Sequence, residues 1–417
     1  MRVVLAPDSF KGSLTAHEVV EIWTQALAAV FPNATPLPFP MGDGGEGTLE
    51  VLCPDPKELR SYFVADPTGA IVSARWGLCP ETPPTAVVEV AEVVGYGLVR
   101  GERNPYRFGT SGIGQLLRHF LDQGIRRVLF GLGGTATVDG GMGFLMALGA
   151  RFFDASGQEL PPVAASLFRV DRVDLTGLDP RLQECELVAL VDVAAPLLGP
   201  EGAVFLYGPQ KGVPQKDLDE FDRRMKRFAE LLLRARGGAR EDLPTHPGAG
   251  AAGGLGFALA FLGARLLLGA DAIAERIGLP RAIADADFVL TGEGQSDAQT
   301  LQGKVPIAVA RFAAAQGKPV FLLSGSLGEG ANELLPYFAC LQAAVSRPAP
   351  LGELLPRAAE DLYEAAVRLF HCISWREKAE AFGHRLPSTR TPLKPADLKT
   401  TDPFRRTMDS EVKVRGS

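Results

Sequence analysis

The chain has 417 residues with a formal net charge of −6, and 46% of its residues are hydrophobic. This composition predicts a folded protein of two or three domains. It argues against nucleic acid as a partner, because nucleic-acid-binding surfaces concentrate positive charge. The five cysteines are far apart and lack a zinc-binding spacing, so we expect reduced thiols and a cytoplasmic location. No membrane span is expected, since the most apolar stretch, residues 251–264, is broken by glycines and ends at Arg265.

The N-terminal segment predicts a strand, a loop and a helix in that order. A short apolar run at residues 3–6 indicates a buried strand, and residues 7–13 form a polar loop after it. A helix is predicted from about residue 16 to residue 30. Thr15 and Glu18 have the spacing of a capping box at its start.

The same order of apolar strand, glycine-rich loop and helical pattern recurs along the chain. Such strands are typical of parallel sheets covered on both faces, and ligands bind beyond their carboxyl ends. The further strands predicted to end in such loops lie at residues 35–39, 127–130, 187–191, 288–290 and 320–323.

One region departs from this order and indicates a second domain. Residues 70–76 and 85–90 look like paired strands with few helices between them. Five parallel strands near residues 3, 36, 288, 320 and 340 would then form a first domain that is split in sequence. We predict a first domain of residues 1–60 and 280–372, an inserted domain of residues 61–279, and a flexible tail of residues 373–417.

Two loops in the N-terminal region place charged side chains after predicted strands. In Asp8-Ser-Phe-Lys-Gly12, a hydroxyl, an ammonium and backbone amides suit an anionic ligand, although a turn capped by Asp8 or Ser9 is an equal alternative. In residues 42–47, four glycines surround Asp43 and Glu46. This loop could wrap a phosphate while a carboxylate holds Mg²⁺, or it could be a plain glycine-rich loop with a capping aspartate.

A third loop matches the pattern of dinucleotide-binding proteins. Residues 131–136 read Gly-Leu-Gly-Gly-Thr-Ala, and Asp154 lies at about the spacing of a ribose-binding acid. The glycine-rich stretch continues to Gly143, however, which delays the helix that should begin within the motif. A dinucleotide-dependent oxidoreductase of a small hydroxy acid stays open as an alternative at this point.

Two later loops also place acids directly after buried strands. Residues 291–297 include Glu293 and Asp297, and Lys304 follows; so many polar groups at the edge of a core indicate a ligand. Asp192 follows another apolar strand, where it could accept a proton or cap a turn. Residues 108–114 add one more glycine-rich helix start, which could equally be a plain cap.

Taken in chain order, these motifs resemble those of the bacterial-type glycerate kinases that make 2-phosphoglycerate. The matching segments, within residues 1 to about 370, read APDSFKGSLTA, MGDGGEGT, GLGGTATVDGG, DVAAPLLGPEGA, GPQKG, GAGAAGGLG and TGEGQSDAQTLQGK. The resemblance implies Mg²⁺-assisted transfer of the γ-phosphoryl group of ATP to D-glycerate. It also implies two α/β domains: a flavodoxin-like parallel-sheet domain split by an inserted mixed α/β domain, with the site in the cleft between them.

Phosphoryl transfer requires positioning and charge neutralisation, and the resemblance suggests which residues supply them. The predicted catalytic residues are Asp192, Lys11 and Asp8, with Asp192 orienting or deprotonating the attacking hydroxyl. The predicted substrate-binding residues are Ser9, Asp43, Gly44 and Asp297. The predicted nucleotide-binding residues are Gly133, Gly134, Thr135, Lys211, Glu293 and Lys304. The predicted Mg²⁺ ligands are Asp43 and Asp297.

The chain departs from the family pattern in three of these loops. Val138 stands where the family usually has Asn, Ala194-Ala195 where it has Asp-Asn, and Gln295-Ser296 where it has Arg-Ile. The expected partner is the small molecule D-glycerate, with no nucleic acid and no membrane, and a homodimer is a candidate assembly. A non-catalytic metabolite-binding protein is the second alternative to a kinase.

Overall fold

The computed structural model describes residues 1–101, 103–237 and 240–381. The strands are β1 (Arg2–Pro7), β2 (Thr35–Pro38), β3 (Leu59–Ala65), β4 (Ile71–Cys79), β5 (Thr85–Glu89), β6 (Arg127–Gly131), β7 (Arg151–Asp154), β8 (Val170–Asp174), β9 (Glu186–Val191), β10 (Arg265–Leu268), β11 (Phe288–Gly292), β12 (Gln295–Ser296), β13 (Val320–Ser324), β14 (Ser326–Leu327) and β15 (Cys340–Ala343). The helices are α1 (Ala16–Val30), α2 (Thr48–Leu52), α3 (Ala91–Val94), α4 (Ser111–Asp122), α5 (Met142–Ala147), α6 (Ala203–Tyr207), α7 (Leu218–Ala235), α8 (Ala251–Phe261), α9 (Gly269–Arg276), α10 (Leu279–Ala284), α11 (Val305–Ala314), α12 (Leu351–Leu354) and α13 (Ala358–Ala381).

These elements form two compact units. Unit 1 combines Met1–Asp43 with residues 270–381, and unit 2 comprises Gly44–Gly269. The unit bounds lie N-terminal to the domain limits near residues 60 and 280 that we expect from the sequence, and those limits stay predictions. Helix α13 continues to Ala381, past residue 373 where the predicted tail begins. Residues 382–417 of that tail lie outside the described residues.

Unit 1 is built on a five-stranded parallel sheet with the order β15-β13-β11-β1-β2. Numbered by their sequence within the unit, these strands have the order 2-1-3-4-5 from the β2 edge, which is the flavodoxin-like order. The five strands are the five predicted for the split domain. The predicted fold class, with a flavodoxin-like parallel sheet, is therefore confirmed.

The start of unit 1 shows how the sequence specifies these elements. The side chains of Val3 and Leu5 in β1 are fully buried, as expected for a central parallel strand covered on both faces. Helix α1 begins with the predicted capping box: Thr15 Oγ1 accepts the Glu18 N–H (3.2 Å), and Glu18 Oε2 accepts the Thr15 N–H (2.8 Å). Its apolar face, which includes the fully buried Trp23, packs in the core of this unit.

Unit 2 contains a six-stranded mixed sheet with the order β10-β9-β6-β5-β4-β3. Strands β10, β9, β6 and β5 are parallel, and β4 and β3 form antiparallel pairs at one edge. The carboxyl ends of β5, β6 and β9 therefore lie at one edge of this sheet, where Glu89, Gly131 and Val191 end their strands. Within the described residues, no helix is both long and apolar enough to cross a membrane.

Candidate active site

In unit 1, the loops that follow β1 and β11 are neighbours because their strands are paired. The Asp8 N–H donates to Gly292 O (2.9 Å), which continues the pairing beyond β1. A Cβ on Gly294 would lie 3.3 Å from the Lys11 backbone nitrogen, so the two loops are in close contact. The structure therefore brings together the DSFKG motif and the TGEGQSD motif, which end at Gly12 and begin at Thr291 in the chain.

Glu293 is the centre of a buried polar network in the second of these loops. Its Oε1 atom accepts hydrogen bonds from Thr300 Oγ1 (2.6 Å) and Ser296 Oγ (2.8 Å). Lys304 Nζ lies 3.7 Å from the other carboxylate oxygen. Burial raises the pKa of Glu293, and the neighbouring Lys304 ammonium partly opposes that rise. Two predicted nucleotide-binding residues are thus paired.

Asp8 lies in a strongly acidic environment. The side chain is 4% exposed, and its Oδ1 atom accepts the Ser9 N–H (2.7 Å). Burial raises the pKa of Asp8 well above its ordinary value; the charges of Asp43 and Glu293 raise it further, while Lys11 lowers it. Asp8, Asp43, Glu293 and Lys11 therefore lie close enough to interact. A cluster of this kind gains stability when a cation binds to it.

The two predicted Mg²⁺ ligands, Asp43 and Asp297, have different surroundings. Asp297 caps the 3₁₀ helix Ala298–Gln302, and its Oδ1 atom accepts the Gln299 N–H (2.8 Å). Asp43 is buried and contributes to the pKa values of Asp8 and Glu293. In the part of the chain that the structure describes, no group of three or more His, Cys, Asp or Glu side chains could hold a metal ion. A magnesium ion here would need further oxygen ligands from phosphate or water.

Ser9 supplies an unsatisfied polar atom in the same loop. Its Oγ atom is buried and has no hydrogen-bond partner among the described residues. A buried hydroxyl without a partner costs free energy, so such atoms are rare unless they bind a ligand or a water molecule. This observation fits the prediction that Ser9 contacts a substrate.

In unit 2, the two glycine-rich motifs are in direct backbone contact. Gly133 N–H donates to Gly44 O (3.1 Å), and Gly44 N–H donates to Thr48 Oγ1 (3.1 Å). There is no room for a side chain between them: a Cβ on Gly133 would lie 2.6 Å from Gly45 Cα, and one on Gly131 would lie 2.5 Å from Gly44 O. Glycine is therefore required at these positions by close approach of the two loops.

Lys211 follows α6 and is a buried cation that contacts the loop after β6. Its side chain comes from the GPQKG motif, and it is 4% exposed. The Nζ atom donates to Thr135 Oγ1 (2.9 Å) and to Thr137 O (3.0 Å). Burial lowers its pKa to about 7, although Asp139 and Asp192 partly oppose that change. The neighbouring Thr137 Oγ1 is buried without a hydrogen-bond partner among the described residues. An anionic ligand would stabilise the charged form of this lysine.

Asp192 follows β9, as the sequence predicts, and lies within electrostatic range of Lys211. Its side chain is half-buried. Burial and then the Asp192 charge raise the pKa of the Tyr207 hydroxyl to about 12. Contacts and charge interactions inside unit 2 therefore connect all six of its predicted site residues in one region: Gly44, Gly133, Gly134, Thr135, Lys211 and Asp192.

Asp139 supports this region and is not among the predicted site residues. Its Oδ2 atom accepts from Thr110 Oγ1 (2.8 Å), Thr110 N (2.9 Å) and Gly143 N (3.0 Å), and its Oδ1 atom accepts from Gly141 N (3.0 Å). Burial raises the pKa of Asp139, while these hydrogen bonds oppose the rise. Its partner Thr110 lies in the glycine-rich helix start at residues 108–114, and this motif is the sequence signal that could have identified the pair.

Glu89 is a buried acid that sequence reasoning missed. It ends β5, pairs in register with Gly131, and accepts the Leu49 N–H at Oε1 (2.5 Å). The available signal was its position: an acid at the carboxyl end of an apolar strand, at residues 85–90, which we interpreted only as part of a strand pair.

The dinucleotide alternative does not agree with the local structure. Helix α5 begins at Met142, well after the G-x-G-x-x-A pattern, because Gly140 and Gly141 adopt left-handed conformations with φ of 65° and 76°. Asp154 lies in the two-stranded β7–β8 sheet, where it forms hydrogen bonds with Ser156 and Arg169. Neither feature has the arrangement that a dinucleotide site requires.

Comparison with known proteins adds an independent line of support. The model of the glycerate kinase family matches residues 3–374. A glycerate kinase of Halalkalibacterium halodurans is 38% identical over 90% of this chain and 99% of its own length. A glycerate 2-kinase of Escherichia coli is 40% identical over 78% of this chain and 86% of its own length.

A solved structure supports the same assignment. The crystal structure assigned to glycerate kinase 2 from Salmonella typhimurium LT2 has a TM-score of 0.76 and 35% identity, and the match covers 91% of this chain and 99% of that chain. The motifs, the fold and these similarities agree, and the chain belongs to the glycerate kinase family.

Proposed function

We propose that the protein is a glycerate 2-kinase, which transfers the γ-phosphoryl group of ATP to the 2-hydroxyl of D-glycerate. Membership of a kinase family implies a nucleotide substrate. The observation that carries the proposal is the buried Lys211 ammonium, which donates to the glycine-rich loop after β6, since phosphoryl transfer depends on such charge neutralisation. The choice of the 2-hydroxyl follows the name of the Escherichia coli relative.

The glycine-rich loops of unit 2 suit the phosphates of the nucleotide. Gly133, Gly134 and Thr135 form a turn in which Gly133 has no room for a side chain and Gly134 has a φ of 72°, and Lys211 Nζ donates to the Thr135 hydroxyl. In the reaction, the bond between the γ-phosphorus and the bridging oxygen of ADP breaks. The bond between that phosphorus and the glycerate oxygen forms. Lys211 would spread the negative charge that moves onto the ADP oxygens.

The loops of unit 1 suit the remaining polar contacts. Lys11 and the unsatisfied Ser9 Oγ would bind the glycerate carboxylate or a phosphate oxygen, and Asp8 would accept a hydrogen bond from a glycerate hydroxyl. Glu293 and Lys304 form a pair in which the lysine can reach a phosphate while the carboxylate holds it in position. Asp192, in unit 2, would accept the proton of the attacking hydroxyl.

The residues present fit a magnesium ion that enters with the nucleotide. Asp43 and Asp297 would hold it through carboxylate oxygens, consistent with the way proteins bind Mg²⁺ through one or two carboxylates together with substrate phosphates. When bound, the ion would neutralise charge on the transferred phosphoryl group. The raised pKa of Asp8 next to Asp43 supports a site that is more stable with a cation present.

The decisive experiment measures ADP release and the product isomer together. The purified chain is incubated with ATP, Mg²⁺ and D-glycerate, and the product is offered to enolase with and without phosphoglycerate mutase. We expect ADP release that requires both D-glycerate and Mg²⁺, and a product that enolase consumes without the mutase. L-glycerate, lactate and glycerol are the matched substrate controls.

Three results would contradict the proposal. ADP release that is independent of glycerate would indicate another acceptor. A product that needs the mutase would assign the phosphate to the 3-hydroxyl. Binding of D-glycerate without ADP release would favour the metabolite-binding alternative. Titration with NADH tests the alternative of a dinucleotide-dependent oxidoreductase. Neither the beginning of α5 at Met142 nor the family match supports that alternative.

Two further proposals concern the setting of the enzyme. We propose a cytoplasmic location: none of the described cysteines forms a disulfide, and Cys53 and Cys79, whose Sγ atoms lie 3.0 Å apart, form a thiol hydrogen bond instead. We also propose a homodimer, because β3 forms an edge of the unit 2 sheet and carries the strongly exposed Phe63. Light scattering after size-exclusion chromatography measures the assembly, and a mass of one chain at micromolar concentration would refute the dimer.

A further inference from the structure

Glu89 lies where the two glycine-rich motifs of unit 2 meet. It is the last residue of β5 and is 4% exposed. The adjacent strand β6 ends in register with it at Gly131, directly before the loop that leads to Thr135. An acid at this strand end is therefore next to the loop that we assign to the nucleotide phosphates.

The carboxylate of Glu89 makes its only described hydrogen bond to the beginning of α2. Its Oε1 atom accepts the Leu49 N–H (2.5 Å), which is one of the N–H groups that a helix start leaves without an intrahelical partner. Helix α2 has only five residues, and its N-cap Gly47 provides no side-chain cap. Such a short helix depends on an external acceptor for its position.

The beginning of α2 in turn fixes the glycine loop before it. Thr48 Oγ1 accepts the Gly44 N–H (3.1 Å), so Gly44 is tied to the first turn of α2. Gly44 O accepts the Gly133 N–H (3.1 Å), and Gly45 is in close contact with Gly133. A chain of contacts therefore leads from Glu89 through α2 and Gly44 to the Gly133 turn.

Charged groups from three elements surround Glu89. Glu50 of α2 and Glu92 of α3 repel its negative charge, whereas Arg75 of β4, which pairs with both of them, attracts it. Burial is the largest influence and raises the pKa of Glu89 to about 8, although the hydrogen bond from the Leu49 N–H opposes this rise. The carboxyl group is therefore mostly neutral at pH 7 and becomes charged above pH 8.

We propose that Glu89 is a positioning residue for nucleotide binding: it holds the start of α2, and through α2 it sets the contact of Gly44 and Gly45 with the Gly133 turn. The inference rests on the proposed function, because it takes the Gly133 turn to be the part of unit 2 that binds ATP. Glu89 acts through the backbone of α2, without contacting the substrate. A glutamine at this position keeps the accepting oxygen, so it should keep the function.

The test compares Glu89→Ala and Glu89→Gln with Glu92→Gln as the matched control. Glu92 is a neighbouring carboxylate that pairs with Arg75 and accepts no hydrogen bond from α2 in the described residues. Hydrogen exchange of the peptide covering residues 44–49 reports the loop directly. Calorimetry with MgATP, and KM values for ATP and D-glycerate, report the effect on binding.

For Glu89→Ala we expect faster exchange in residues 44–49 and about tenfold weaker MgATP binding, because one buried N–H loses its acceptor. The KM for D-glycerate should change less than twofold. Glu89→Gln and Glu92→Gln should match the wild type in exchange and in affinity at pH 7.

Two results would overturn the inference. Unchanged exchange in residues 44–49 of Glu89→Ala would show that the residue does not hold the loop. Equal losses of affinity in Glu89→Ala and Glu89→Gln would show that the carboxyl group acts directly on the ligand. A wild type that makes no 2-phosphoglycerate would refute the proposed function alone, because hydrogen exchange still decides the role of Glu89.

Discussion

Replacement of Lys211 by methionine separates a functional role from a structural one. Methionine keeps most of the aliphatic volume of the side chain and removes the ammonium group. The wild-type Nζ atom donates to Thr135 Oγ1 and Thr137 O from a position that is 4% exposed. We expect Lys211→Met to lower kcat/KM about 100-fold or more, which is the usual loss when one donor to a developing charge is removed.

The stability of this variant follows from the pKa of Lys211. A fall from the ordinary value of 10.5 to about 7 corresponds to a cost of ~5 kcal/mol for the charged form in the folded state. The two lost hydrogen bonds offset this by ~1 kcal/mol each, and by more if their acceptors remain unpaired. Lys211→Met should therefore be at least as stable as the wild type at pH 6.

The stability of the wild type depends on pH because Lys211 has different pKa values in the folded and unfolded chains. Between about pH 7 and pH 10.5 the unfolded chain keeps the lysine proton that the folded chain has lost, so wild-type stability rises with pH in this window. Lys211→Met lacks this contribution, and its stability advantage should shrink by ~3 kcal/mol between pH 6 and pH 9.

Urea unfolding at pH 6 and pH 9, followed by circular dichroism, measures this difference, and the ADP-release assay measures kcat/KM. A variant that is destabilised by more than ~2 kcal/mol at pH 6 and still turns over normally would refute the argument. Lys211 would then be a packing residue with no role in charge neutralisation.

Three further predictions follow from the site. Gly133→Ala should destabilise unit 2 by ~1–3 kcal/mol and weaken MgATP binding, because the new Cβ would lie 2.6 Å from Gly45 Cα. Urea unfolding measures the change in stability, and calorimetry measures the change in binding. The control variant Gly352→Ala, whose new Cβ would have no atom within 4 Å, should be nearly neutral. Asp139→Asn should lower the free energy of unfolding by ~2–5 kcal/mol, because an amide cannot accept all four hydrogen bonds that this buried carboxylate accepts. An unchanged urea midpoint would contradict this prediction. Asp192→Asn should lose most of its turnover and keep the wild-type melting temperature, and full activity would exclude Asp192 as the base.

The sequence predicted the fold of unit 1 well because its signals are local. Each strand is a short apolar run, and each is followed by glycine and polar residues that end it. The capping box at Thr15 and Glu18 involves residues three positions apart, so no tertiary information is needed to recognise it. The five strands and their parallel arrangement followed from this alternation.

The GLGGTA motif shows where local patterns mislead. Its residue types match the dinucleotide-binding motif, but the motif does not predict the backbone conformation of the residues that follow it. Gly140 and Gly141 adopt left-handed conformations, and Cβ atoms there would meet Met225 Sδ and Ala258 Cβ at 2.7 and 2.3 Å. Packing from two distant helices, α7 and α8, therefore shapes the loop and delays α5.

The amino-acid sequence by itself determined the family, the α/β class and the loops that carry polar residues, because these depend on short motifs and on the alternation of apolar and polar segments. Only the tertiary structure decided which side chains are buried and which atoms they meet. Lys211 meets Thr135 across 76 residues, and Glu89 meets Leu49 across 40. The cost of burying a charge depends on all the atoms around it in space, and sequence spacing does not record those neighbours.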